Sequence, residues 1–582
     1  MRLSTRSTPQ GLGEFLAVLE QRLAALPVED LRAALVAHAE RLSASNREAF
    51  LAIFPAPGAG ACQVPGPRLA PCPDGTRLLA DIDAFVDRVR SGAFFEGWGW
   101  DDELHEERAW GDESWVAEMD DLFAAAADAF LAGDLALAKD AYGRLLGAFD
   151  LDQEVGAFCG SENAPDMVAT DVPEAVARHL RAVYETTPLP ERAEQLHDRY
   201  ADLRHLAPGT SLRTIAATRR SGLPDVDDFL PAWIDVLTEE TSGYQARDRQ
   251  RLLTEATVWH AGTDGLATVA RRPGDHQPTA YLDWIDALTS DGRISDAAAA
   301  AREALTGTGW PGERTAEVAD RLGTLSTRLG DPRAALDAHR TAWRTHPNRN
   351  RLLTLVTAAD AAGQRAEVLA AEADLVATIP DRLGCELLLL ADRTDTAATA
   401  LAVSDPLGWS DPDHPGPVVW PYLLAAAVAP AVPAADTQLD QQFAAIDTAG
   451  RWYANTAVDL PDDEPGEPSG APSRLSVLLA CHIADHPGSP QQRQQWLDVA
   501  RGVVAQRVDA VVSNKHRGAY QRVAVLAVAY AEALALAGNQ AAAAAFLTGT
   551  RSRYPRHVAF RDELDRATAA SPLLPAPPAR RR

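Results

Sequence analysis

Apolar residues along this chain recur mostly three and four positions apart, the period that puts them on one face of a helix. Leu12 to Leu26 carries Phe15, Leu16, Leu19, Leu23 and Leu26 on such a face, and Pro27 opens a second helix through Leu31, Leu35 and Leu42. Asn46 is placed to cap a third, short helix ending near Phe54. After a gap rich in proline and glycine, Leu78 to Arg90 is helical in pattern again. A longer helix is predicted from a cap at Asp112 through Trp115, Met119, Leu122, Phe123, Ala126 and Phe130. Gly133 and Asp134 break it, and a second helix follows through Ala138, Ala141, Tyr142, Leu145 and Leu146. Runs of Val, Ile and Thr alternating with polar residues are scarce. The pattern predicts an all-α protein.

The helix breakers have a spacing of their own. A proline stands 17 residues after a glycine at Gly330 and Pro347, at Gly363 and Pro380, and at Gly538 and Pro555, and the first two prolines are 33 residues apart. That distance fits one helical hairpin, with glycine in the turn and proline ending the second helix. The recurrence is the mark of a stacked helical repeat.

The segment Thr315 to Asn348 resembles a tetratricopeptide repeat. Leu322 and Gly323 fall on that family's Leu-Gly pair, Gly330 on its turn, Ala335 and Ala342 on its small second-helix positions, and Pro347 on its last proline. It departs from the family at Ser326 and His339, where aromatic residues are usual. A preceding copy, Pro278 to Trp310, keeps Trp284, Gly292, Ala297 and Ala304. The following copy, Arg349 to Arg382, keeps Gly363, Leu375 and Pro380, with Val368 and Glu372 as mismatches. A separate copy near Ala524 to His557 keeps Gly538, Ala543 and Pro555. The resemblance implies stacked antiparallel hairpins wound into a superhelix whose concave face binds peptides or proteins. A non-repetitive helical bundle is the alternative. The chain is also similar to helical regions beside SWIM-type zinc fingers of bacterial proteins, without the CxC and CxH that hold the zinc.

This organisation predicts an N-terminal helical segment (residues 1–54), a Pro/Gly-rich linker (55–77), a Trp/acid-rich segment with a hairpin (78–200) and central repeats (201–403). An irregular Pro/Asp-rich region (404–473), a C-terminal helical repeat (474–571) and a disordered Arg-ended tail (572–582) follow.

Composition narrows the function. The formal charge is -27 in 582 residues, which disfavours nucleic acid and anionic membrane and favours basic partners. The longest apolar runs are broken by Pro421, Pro430 and Glu532, so no span of the membrane is expected. The five cysteines, Cys62, Cys72, Cys159, Cys385 and Cys481, are odd in number and lack a CxxC, so reduced thiols in the cytoplasm are expected. Cys159, with His179 nearby in sequence, reads as a structural thiol rather than a nucleophile. GxSxG, HExxH and Walker-type strings are absent. A GxGxxG at Gly307, Gly309 and Gly312 follows a helical run rather than a strand and reads as a loop between repeats.

Two clusters stand out. Residues 97–115 hold Trp98, Trp100, Trp110 and Trp115 among Asp101, Asp102, Glu103, Glu106, Glu107, Asp112 and Glu113, with His105 and Arg108. Three readings stay open. Tryptophan beside carboxylate suits a basic peptide. If Asp101 to Arg108 is helical, Asp101 and Asp102 share a face with His105, which suits a metal and a metal-dependent enzyme or regulator. The plain structural reading is an acidic helix start with its tryptophans in an adjacent core. The second cluster, Asn514, Lys515, His516, Arg517, Tyr520 and Arg522, contains one of only two lysines, the other being Lys139. It suits an anionic partner or an internal ion-pair network. The expectation is a cytoplasmic scaffold or adaptor without catalytic residues, metal or cofactor. Trp98, Trp100, Asp101, Asp102, Glu103, Trp110, Lys515, Arg517 and Tyr520 are its expected partner-binding residues, and the partner is a protein or peptide.

Overall fold

The structure is a computed structural model. It describes residues 75–101, 106–111, 113–155, 163–238, 246–307, 309–377, 380–429, 436–448 and 474–575, besides residues 21, 22 and 27. The N-terminal helices, Cys62, Cys72, Cys159, the Asp112 cap, most of the 55–77 linker, the 459–473 stretch and the last seven residues lie outside it. The chain divides into two compact units, Met1–Trp284 and Ile285–Arg582.

The first unit opens with α1 (Gly75–Arg90), so residues 75–77 are helix rather than linker. A two-stranded antiparallel hairpin follows, β1 (Phe95–Asp101) and β2 (Glu106–Gly111). Among the described residues it is the one sheet in an otherwise helical protein. It corrects the helical reading of Asp101 to Arg108. Helices resume with α2 (Ser114–Ala132), α3 (Leu135–Val155), the short α4 (Ala164–Met167), α5 (Val172–Thr186) and α6 (Leu189–Leu203). Then come α7 (Leu212–Ala217), α8 (Val226–Thr238) and α9 (Ala246–Arg271), which bends at Gly262. Helix α10 (Gln277–Ser290) crosses the division between the units.

Helix α2 buries the stripe the pattern predicts: Trp115, Met119, Phe123, Ala126 and Phe130. It stops at Gly133, whose φ of 89° is left-handed, and Asp134 accepts from the Leu137 backbone N–H to start α3. Phe123 then meets Tyr142 and Phe149 of α3, each ring 6.2 Å away. Further on, α3 packs on α5, α5 on α6, and α6 on α8. The Arg181 guanidinium, fully buried on α5, donates to the backbone oxygens of Ser221 and Gly222 and pairs with Glu185. A long irregular connection is thereby fastened to the helix stack by one side chain.

The second unit continues with α11 (Ile294–Leu305), α12 (Gly312–Arg328), α13 (Pro332–Thr345), α14 (Arg349–Ala361), α15 (Arg365–Ala373), α16 (Arg382–Leu390) and α17 (Thr394–Val403). Each of these packs on the next. After an irregular stretch come α18 (Gly416–Val428), α19 (Gln438–Ala444), α20 (Leu475–Asp485), α21 (Pro490–Ser513), α22 (Tyr520–Leu536), α23 (Gln540–Arg553) and α24 (Val558–Ala570). Helix α22 with the turn before it, Arg517–Leu536, has the length and hydropathy of a membrane span, and 61% of that window is buried among its neighbours.

The turn glycines are where the spacing put them. Gly330, Gly363 and Gly538 have φ of 75°, 68° and 82°, a region costly for any residue with a Cβ. The residue after each donates back to the helix it leaves, Asp331 to Ser326, Gln364 to Ala359 and Asn539 to Leu534, closing the same helix-ending loop three times. Gly292 repeats it with a φ of 75°. From α11 to α17 the described helices stack as consecutive antiparallel hairpins.

The mismatched positions also have an explanation. A Cβ on Gly323 would stand 2.3 Å from the His339 ring, so glycine at this position leaves the room the imidazole fills. Glu372 is buried because Arg340 and Arg344 of α13 reach it. Leu375, by contrast, is exposed and not the core residue the repeat alignment implies. Cys385 is buried, and burial pushes its thiol up to about 12, so it stays protonated.

Candidate partner-binding surfaces

The Trp/acid segment is built from its root outward. Phe94 is buried against Phe85 of α1, ring centroids 6.0 Å apart. Arg88 lies over both rings and pairs with Glu118 of α2. These contacts fix where β1 leaves the helices. Gly97, with φ 137°, sits at a bulge between Phe95 and Gly97 that re-aims the strand. Beyond it the ladder is regular, with Trp98 opposite Ala109, Trp100 opposite Glu107 and Asp101 opposite Glu106.

The four tryptophans therefore part company. Trp115 is fully buried in α2 and belongs to the core. Trp100 is 62% exposed, an unusual position for the largest apolar side chain. Trp98 and Trp110 take register positions on the two strands. Asp102, Glu103 and His105 lie outside the described residues. Asp101 and Glu106 take directly opposed register positions. Asp101 lies in a strand and so does not take the helical position that was to join it to His105. Among the described residues no group of three His, Cys, Asp or Glu is arranged to hold a metal ion.

The basic cluster is divided in the same way. Asn514, Lys515, His516 and Arg517 are exposed in the turn between α21 and α22, with Lys515 at a left-handed φ of 59°. Tyr520 is only 5% exposed, and its ring meets Phe560 of α24 edge-on at 5.9 Å. Tyr520 is thus a core residue of the C-terminal hairpins, while Lys515 and Arg517 face solvent.

One concave surface was not anticipated. Helix α5 lies between α3 and α6, and the space above it forms an open groove of about 960 Å³. Lys139, Gly143, Arg144, Gly147, His179, Arg199 and Asp202 are among its lining residues. Its signal in the sequence was small: two glycines four apart inside a strongly helical run, and one of the two lysines one turn before them.

No protein-family model matches the chain. No curated protein matches it. Among solved structures, that of Naa15/Naa10 bound to HypK-THB is similar over 78% of this chain and 68% of that chain, at 14% identity and a TM-score of 0.22.

Proposed function

We propose that the chain is a non-catalytic, cytoplasmic adaptor that binds another protein through the hairpin of β1 and β2, and that the partner presents a basic segment there. The observation that carries this reading is Trp100, 62% exposed on a hairpin rooted in the helices by Phe94 and Arg88. Tryptophan is the residue most often found to anchor interfaces, and its truncation there typically costs about 2 kcal/mol or more. The acids opposed across the ladder supply the second half of the argument. A guanidinium or ammonium of the partner pairs with such carboxylates, and an exposed indole face offers a cation–π contact. The helical hairpins then serve as the frame that holds this element and offer further surface to the same partner.

The test is affinity capture of the native partner by the full chain. Trp100→Ala combined with charge reversal at Asp101, Asp102 and Glu103 is expected to abolish capture and leave the melting temperature unchanged. Undiminished capture by that variant would refute the reading. A fall in melting temperature would assign the segment to the fold instead.

A further inference from the structure

The last helices of the second unit hold a groove of another kind, independent of the hairpin of β1 and β2. Helices α21 and α23 form its walls and α22 its floor, around an open space of about 570 Å³. Tyr530 lies on that floor, 3% exposed, and its ring meets Phe546 of α23 edge-on at 4.7 Å. Among the described residues its hydroxyl has no hydrogen-bond partner, yet it is not sealed and keeps contact with solvent through the groove. A buried tyrosine hydroxyl ordinarily finds a partner. Burial pushes this one up to about 12, with Arg501 working against the rise and Asp498 adding to it, so both charges bear on the same hydroxyl.

Those two charges stand three residues apart on α21, at the exposed rim of the groove. An acid followed by arginine at that spacing closes elsewhere in this chain, Asp87 on Arg90 at 2.8 Å and Glu563 on Arg566 at 2.5 Å. Asp498 and Arg501 stay apart. The Asp498 carboxylate accepts from Gln494 Nε2 at 3.1 Å instead, and among the described residues no carboxylate lies within ion-pair distance of Arg501. Arg553, further along the groove, is already paired with Asp509. The rim therefore presents a carboxylate and a guanidinium side by side, with an unused hydroxyl below them. A lone anion here is repelled by Asp498, and a lone cation by Arg501. A ligand that carries both charges a few ångströms apart escapes both penalties. The ammonium and carboxylate of an α-amino acid sit on one carbon and fit between side chains whose Cβ atoms lie about 5–6 Å apart.

We propose that this groove binds a free α-amino acid as its zwitterion. Asp498 holds the ammonium, Arg501 and the Tyr530 hydroxyl hold the carboxylate, and an apolar side chain lies along Ala542, Ala545 and Phe546. Gly549 keeps the wall of α23 low beyond them; no atom stands within 4 Å of where its side chain would begin.

The test is a ligand-observed NMR titration of the full chain near neutral pH with L-leucine, L-methionine and L-phenylalanine, each beside its N-acetyl and its amide form. Acetylation removes the ammonium, and amidation the carboxylate. Saturable binding of at least one zwitterion is expected, about tenfold or more tighter than either capped form of the same amino acid. Arg501→Met and Tyr530→Phe are each expected to weaken that binding about tenfold. Tyr530→Phe is also expected to leave the melting temperature in place, because its hydroxyl makes no bond within the fold. Absence of saturable binding by all three zwitterions, a capped form that binds as well as its parent, undiminished binding by either variant, or a lower melting temperature for Tyr530→Phe would each overturn the proposal.

Discussion

Glu372 is 2% exposed and takes hydrogen bonds from two guanidiniums of the preceding hairpin, with Arg344 Nη2 at 2.7 Å and Arg340 Nε at 2.5 Å. Glu386, 1% exposed, takes hydrogen bonds from Arg349 of α14 and pairs within its own helix with Arg382 at 3.7 Å. Buried carboxylates survive only with such partners, and each bridges helices that the apolar core alone leaves free to slide. Glu372→Gln keeps the shape and removes the charge. It is expected to lower the stability of the second unit by about 3 kcal/mol, read as a lower urea midpoint. His179 gives the corresponding prediction in the first unit. Unfolded, its imidazole takes up a proton near pH ~6.5. Folded, it resists until about 4. Between those values the unfolded state binds more protons, so the contribution of His179 is complete at neutral pH and is lost as pH falls from about 7 toward 4. The loss approaches about 3 kcal/mol, and His179→Gln is expected to flatten it in a series of unfolding curves against pH.

At the scale of elements, the hairpin turn is the repeated unit on which the array depends. Gly330→Ala puts a Cβ into a left-handed turn and is expected to cost about 1 kcal/mol, measured as a lower melting temperature. The glycine-to-proline spacing makes these turns legible in the sequence. Gly330, Gly363 and Gly538 each end a helix as expected, because a left-handed exit demands glycine and leaves a trace in the sequence. The β hairpin was not legible in the same way. Its acids imitate a helix start, and it lacks the β-branched residues that usually mark strands. The signal that was present is the alternation Gly97, Trp98, Gly99, Trp100, a period of two that no helix keeps. Tyr520 was misplaced for a related reason. It follows a run of basic residues but belongs to the next periodicity, shared with Val523, Ala524 and Ala527, all buried in α22. The groove over α5 was hidden because it joins three helices: Lys139 to Asp150 on α3, His179 and Val183 on α5, and Gln195 to Leu203 on α6.

For the molecule as a whole, the net charge of -27 acts at a distance that no single contact reaches. Such a field steers a basic partner over about one Debye length and is screened by salt. If the partner is basic, its association rate is expected to fall about tenfold between low and high ionic strength, with the dissociation rate changing far less. A rate indifferent to salt would leave the acidity to solubility alone. Both units contribute to this field, but the proposed contact is a single hairpin of the first.

Hydrogen exchange on the full chain, alone and with its captured partner, reports most directly where that partner sits. The amides of β1 and β2 are predicted to exchange more slowly in the complex than in the free chain. Unchanged exchange across residues 95–111, with protection appearing only on the helices, would contradict the account.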